Sequence, residues 1–276
     1  ADWIRHQIAK LENVKVELNH EPSIEELKEW YQKLLDEYHK WLSYQKKWKE
    51  ERNHSLQSLE FPFSYREGQR KMVSSVYHTI GASRQIFIQA PTGVGKTMST
   101  IFPAVRAVGE GKGETIFYLT AKTITRTVAQ EAFEVLREKG MKYKVVTITA
   151  KEKLCFMDET KCDPVHCPYA RGHFDRVNDA VYELWTMKSR YDRETIREQA
   201  EKWQVCPFEM CLDLSVWVDA VICDYNYVFD PTVHLKRFFG EGAGGDYIFL
   251  IDEAHNLAER GREMYSASIC REDAVR

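Results

Sequence analysis

One eight-residue run limits what this chain can fold into more than any other: Ala90-Pro91-Thr92-Gly93-Val94-Gly95-Lys96-Thr97. It follows an apolar run, Gln85-Ile86-Phe87-Ile88-Gln89, that reads as a strand, and it precedes Met98–Val108, which reads as a helix. Strand, glycine loop, Lys-Thr and helix in that order form a phosphate-binding loop. Gly93 and Gly95 carry no Cβ, so successive N–H groups can turn inward around a phosphate. The helix that follows points its positive end at the same oxygens. Lys96 would reach the β- and γ-phosphates of ATP, and the Thr97 hydroxyl would ligate Mg²⁺. Ala90 replaces the Gly of the general pattern, a small-for-small change.

Strand-like and helix-like segments then alternate. Thr115–Thr120 and Tyr143–Ile148 read as buried strands, with a helix opening near Ile124 between them. Such alternation predicts an α/β fold with a parallel sheet and right-handed crossovers. Further on, Ala220-Val221-Ile222 begins a strand that runs into an aromatic loop, Asp224–Pro231. Tyr247–Ile251 is a last apolar strand, and it delivers Asp252-Glu253-Ala254-His255. A carboxylate at a strand end beside a phosphate loop suits Mg²⁺. Glu253 is placed to orient or deprotonate a water. His255 is placed to couple nucleotide state to a second domain.

Between these halves the alternation stops. Residues 151–211 are charged, helical at best and rich in cysteine: Cys155, Cys162, Cys167 and Cys206 follow C-x6-C-x4-C-x38-C. Zinc knuckles want pairs two to four residues apart, which this is not. The spread fits an insertion folded around a cluster held by four thiolates. Cys211 is a fifth candidate. Cys206 is preferred because Cys206-Pro207-Phe208 makes a rigid turn. Cys223 and Cys270 read as packing residues. With no export-type segment opening the sequence, seven cysteines point to metal ligation before disulfides and to a cytoplasmic setting.

Composition decides one further question. A formal net charge of −3 gives no whole-protein attraction to nucleic acid, so any DNA contact needs a local basic groove. Thr120, Lys122 and Thr123, at a strand's end, are candidates for phosphate contact; Tyr225 and Tyr227 are candidates for base stacking, although aromatics in such a run more often belong to the core. No apolar run approaches the ~20 residues of a membrane helix.

Ahead of the loop, Asn13–Leu18 reads as an edge strand. Ser23-Ile24-Glu25-Glu26 fits a capping box, and Leu27, Leu34, Trp41 and Trp48 recur every seven residues. A long helix to about Arg52 follows, packing its aromatic stripe on the core or serving as an arm. Gln69 is a candidate adenine contact, since an amide offers one donor and one acceptor. Ala1 in place of Met leads us to expect a piece of a longer chain.

Taken together, the Ala90–Thr97 loop, Thr120–Thr123, the cysteine insertion, the Cys206 turn, Asp224–Pro231 and Asp252–His255 resemble the XPD- and DinG-type iron–sulfur DNA helicases of superfamily 2. The likeness runs from about Phe61 to Tyr265 and comes nearest to bacterial members with an upstream PD-(D/E)XK nuclease domain. It implies a 4Fe–4S cluster on Cys155, Cys162, Cys167 and Cys206. It also implies ATP-driven 5′-to-3′ movement on single-stranded DNA, in repair or replication, against a second RecA-like domain that supplies an arginine finger. The expected division is a linker and long helix over 1–60, motor domain 1 over 61–150 and 212–276, and the cluster insertion over 151–211. Without the second domain, poor hydrolysis is expected. Two other readings fit the same residues: a DNA clamp that does not unwind, and a zinc-bearing RNA-directed ATPase.

Overall fold

A computed structural model describes residues 23–91, 93–121 and 123–267. The expected strand at 13–18, together with Thr92, Lys122 and Cys270, lies outside the described residues.

Five strands form one parallel sheet: β1 (Thr115–Leu119), β2 (Val145–Thr147), β3 (Arg190–Tyr191), β4 (Ala220–Cys223) and β5 (Tyr247–Ile251), in the order β3-β2-β4-β1-β5. β1 is an interior strand paired on both sides, with Phe117 opposite Val221 on one side and Phe249 on the other. Its side chains alternate between two cores, as a fully buried strand requires. Ile116 and Tyr118 face one core, with Ile101, Phe102 and Val105 of α3 (Lys96–Gly109) and Phe133 of α4 (Thr123–Glu138). Phe117 and Leu119 face the other, with Trp185, Ile196 and Met210 of the cysteine-bearing segment.

That segment is therefore not a separate lobe. It folds as α5 (Lys151–Leu154), α6 (His173–Met187), α7 (Arg193–Trp203) and α8 (Pro207–Ser215), and its strand β3 extends the sheet. Its apolar residues, spaced along amphipathic helices, complete one face of the core.

The first helix, α1 (Ile24–Gln57), starts with the expected capping box: the Ser23 hydroxyl accepts from Glu26 N–H at 3.2 Å, and the Glu26 carboxylate accepts from Ser23 N–H at 2.7 Å. Only its second half docks. Trp41 is 2% exposed and stacks on Trp185 at 5.6 Å, whereas Leu27, Trp30 and Tyr31 on the first turns stay exposed. The next helix, α2 (Gln69–Gly81), leads to Gln85–Gln89.

The strand expected at Gln85–Gln89 is not formed. The run is irregular, and Phe87 is 90% exposed. An apolar pattern records a demand for burial without naming the neighbour that meets it. The loop after β4 also differs from expectation: Asn226–Phe229 is a short helix, α9. Lys236–Phe239, α10, brings Phe238 against Phe117. A 3₁₀ turn, Ala254–Asn256, and α11 (Leu257–Met264) follow β5.

Candidate nucleotide site and thiol pocket

In a parallel sheet the loops at the carboxyl ends of the strands frame the ligand crevice. Here those ends are Thr120, Asp224 and Asp252, and the amino end of α3 meets them. Gly93 (φ +82°) and Gly95 (φ +77°) both take the left-handed backbone that their lack of a Cβ permits. A Cβ on Gly93 would meet nothing within 4 Å, so the loop is an open cradle; one on Gly95 would lie 2.7 Å from Gln69 Nε2. Lys96 Nζ donates to the Ala90 carbonyl at 3.3 Å, across the loop that phosphate oxygens would fill. Pro91 is exposed, and Val94 is half-buried. The residues present fit a nucleotide and its Mg²⁺.

Gln69 is buried, and its Oε1 accepts from Arg66 N–H at 3.0 Å. The Arg66 guanidinium donates to the Gly93 carbonyl. The turn before α2 is thus laced to the phosphate loop at two points.

Asp252 stands at the end of β5, its N–H bonded to Leu119 O at 2.9 Å. Burial pushes its carboxyl above the ordinary carboxylate range, and the neighbouring Glu253 adds to the rise. A hydrogen bond from Tyr118 and the nearby Lys96 pull the other way. Tyr118 lies close to Thr97 and Asp252, and its own hydroxyl is raised chiefly by burial. Glu253 holds a left-handed backbone (φ +51°, ψ +43°), rare for a residue with a Cβ. Its N–H donates to Asp252 Oδ1 at 3.1 Å. His255 is exposed, with Nδ1 3.4 Å from Glu253 Oε2.

Two residues expected at DNA have other work. Tyr225 is fully buried, and its hydroxyl donates to the carbonyls of Asp252 and Glu253, the latter at 3.2 Å. It braces the acidic turn and offers no ring to a base. Thr120 is 1% exposed, with its hydroxyl bonded to Thr125. Both face inward because β1 and β4 are central strands whose ends stay in the core. Tyr227 is half-buried against the core, and its hydroxyl is pushed up to about 12, burial being the main cause. Lys122 and the Thr123 side chain lie outside the described residues.

The four thiols named from their spacing share one place. Cys155, Cys162, Cys167 and Cys206 all line a pocket of about 30 Å³, together with Lys151 and Phe208. Met157 N–H donates to Cys155 Sγ at 3.4 Å, and the N–H groups of Phe208 and Glu209, opening α8, reach Cys206. Among the described residues, no three or more His, Cys, Asp or Glu gather closely enough for a single metal ion. Cys211 is absent from the pocket lining: it is wholly buried, and its thiol is pushed up to about 12 by burial. Cys223 is likewise a core residue.

Sequence reasoning missed Tyr118 and Tyr225 as supports of the site. Their strands were legible, but nothing in an apolar run marks which hydroxyl reaches a neighbouring strand's end.

A DEAD/DEAH box helicase model matches residues 66–167, which hold the phosphate loop. The Regulator of telomere elongation helicase 1 homolog of Caenorhabditis briggsae is 23% identical over 247 residues, covering 74% of this chain and 24% of its own length. A probable ATP-dependent helicase of Methanocaldococcus jannaschii is 23% identical over 202 residues, covering 72% of this chain and 29% of its own. The chain thus spans about a quarter of the length of these relatives. A solved XPD helicase superposes with a TM-score of 0.48 at 18% identity, over 71% of this chain and 34% of that one. The DEAD_2 model matches residues 134–274, just over half of the chain and the part that carries the acidic turn, so the chain belongs to the DEAD_2 family.

Proposed function

We propose that this chain is motor domain 1 of an ATP-dependent DNA helicase. The observation that carries the reading is the meeting of Lys96, Thr97 and Asp252 at the carboxyl end of a parallel sheet. Backbone N–H groups of the Ala90–Thr97 loop and the Lys96 ammonium hold the phosphates of ATP. Gln69, lying against Gly95, marks the side of the loop on which adenine sits. Thr97 and Asp252 hold Mg²⁺, whose charge offsets that of the phosphates. Glu253 aligns the attacking water. Hydrolysis at full rate requires a second RecA-like domain with its arginine finger, so this chain alone binds nucleotide weakly and turns it over slowly. His255, exposed beside Glu253, faces that partner.

The thiol pocket is assigned to a 4Fe–4S cluster, a wider cage than one ion, held by Cys155, Cys162, Cys167 and Cys206. When bound, it orders a segment whose charged stretches bury little surface of their own. The remaining assignments are single-stranded DNA as the track, 5′-to-3′ polarity, work in repair or replication, and the bacterial cytosol as the setting. An upstream nuclease domain is the finest of them.

Strand displacement by the full-length protein tests the reading, with Lys96→Ala as control. Unwinding of a duplex with a 5′ single-stranded tail, lost in Lys96→Ala, is expected. DNA-stimulated ATP hydrolysis without displacement would sink it in favour of a clamp.

A further inference from the structure

Cys206 reaches the thiol pocket from a short link between two helices. The chain leaves α7 through Gln204, which holds a left-handed backbone (φ +51°, ψ +50°), and enters α8 through Cys206, its N-cap, with Pro207 next. Such a link carries backbone groups that neither helix satisfies: the last carbonyls of one and the N–H ahead of the other. The first turn of α6 supplies partners for both. His173 Nδ1 accepts from Cys206 N–H at 3.2 Å. Three residues on, Arg176 donates to the carbonyls of Trp203 at 3.0 Å and Gln204 at 2.6 Å.

These bonds decide where the sulfur points. A peptide unit is planar, so bonding one of its groups fixes the whole plane. His173 holds the plane before Cys206. Met210 N–H, donating to the Cys206 carbonyl at 3.0 Å, holds the plane after it. The Cα–Cβ bond of Cys206 is left with one direction, and only its side-chain rotation stays free. His173 is 4% exposed and does not line the pocket, so it bears on the thiol through the backbone that carries it. Cys155 is held in a similar way, with Arg197 donating to the carbonyls of Leu154 at 2.7 Å and Cys155 at 3.1 Å. Cys162 differs: it is exposed, and its thiol meets the Thr160 carbonyl of its own loop at 3.7 Å.

We infer that His173 is a positioning residue of the thiol pocket, supported by Arg176, and that it aims the Cys206 sulfur before any cluster is bound. The inference rests on the cluster reading above and names residues that reading did not use. A thiolate already aimed loses its freedom on folding rather than on loading, so the loaded state is held more tightly.

The test reads iron, not activity. The chain is loaded with iron and sulfide without oxygen and challenged with a ferrous chelator, and the fading of its brown absorbance is timed. His173→Phe keeps a ring and leaves Cys206 N–H without its acceptor. His173→Asn returns an acceptor oxygen close to where Nδ1 stood. Iron loss is expected to quicken about tenfold in His173→Phe and to return to near the wild-type rate in His173→Asn. An unchanged rate in His173→Phe would overturn the inference. So would an equally fast loss in His173→Asn, the mark of a ring that matters only for its bulk. Should His173→Phe fail to fold by circular dichroism, Arg176→Met releases the same link from the half-buried side. Faster iron loss is expected there too, and the wild-type rate overturns the inference. A wild-type chain that takes up no iron, or a Cys206→Ser chain that keeps it, sinks the cluster reading itself.

Discussion

Arg52 Nη1 stands 2.7 Å from Asp219 Oδ1, with the two side chains 5% and 4% exposed, and the pair fastens the first helix to the sheet. Asp219 also accepts from Trp48 Nε1 at 2.9 Å and from Lys144 N–H at 2.7 Å. Removing one partner strands a buried charge. Asp219→Ala should therefore cost about 3–5 kcal/mol, and urea unfolding at neutral pH measures it.

Lys144 gives the fold a pH signature. Its Nζ is buried, donates to the carbonyls of Trp185 and Lys188, and lies 4.2 Å from the Trp48 ring. Burial pushes it from the ordinary 10.5 down to about 8. Between those values the unfolded chain binds more protons than the folded one, so raising the pH favours folding. Stability of the wild type relative to Lys144→Met should rise by about 1–3 kcal/mol from pH 8 to 10.5. A flat difference across that window would contradict this.

The first helix should show a sharp divide along its length. Trp41 is enclosed by Tyr182, Trp185 and Trp217. Trp41→Ala should cost about 3–5 kcal/mol. Leu27→Ala and Trp30→Ala, on the exposed turns, should stay within about 0.5 kcal/mol. Thermal unfolding of the three variants decides.

Glu253 bears backbone strain beside Asp252, at the position proposed to align the attacking water. Glycine takes φ of +51° freely, so Glu253→Gly should raise stability by about 0.5–1 kcal/mol. The same change should abolish ATP hydrolysis in the full-length protein while nucleotide binding persists. Unfolding curves and a binding titration check both halves.

Iron loading discriminates between Cys206, at the N-cap of α8, and Cys211 within that helix. Protein prepared without oxygen should absorb near 400 nm, and Cys206→Ser should lose that band. Cys211→Ser should keep it, because Cys211 faces the core. Chelation should cost the loaded protein stability, measured as a lower thermal midpoint.

The phosphate loop, the Asp252 turn and strands β1, β2, β4 and β5 were legible because each is a short apolar run punctuated by glycine or charge. Spacing marked Cys155, Cys162, Cys167 and Cys206 as one group, and these four do line one pocket while Cys211 does not. Three features were not legible. Lys144 lies in a run read as a buried strand, but nothing local says that Trp185 and Lys188 will turn their carbonyls toward its ammonium. Tyr225 reads as a core residue or a base-stacking one with nothing local to decide, because its run looks like a loop, and only the packing beyond β4 buries it. Arg190–Tyr191 is too short to show any period, so its place in the sheet depended on tertiary pairing.

The outer side of β5 has no partner among the described residues, and Phe249 and Ile251 face outward beside it. A row of unsatisfied amides next to apolar side chains is a template for any extended segment that meets it, including the same row on another molecule. The exposed Ile86-Phe87-Ile88 run adds a second adhesive strip. The chain, expected from its sequence to be a monomeric motor, should therefore associate as concentration rises, which sedimentation across a concentration series measures. A charge placed at Phe249, or a peptide supplying the missing strand, should keep it monomeric.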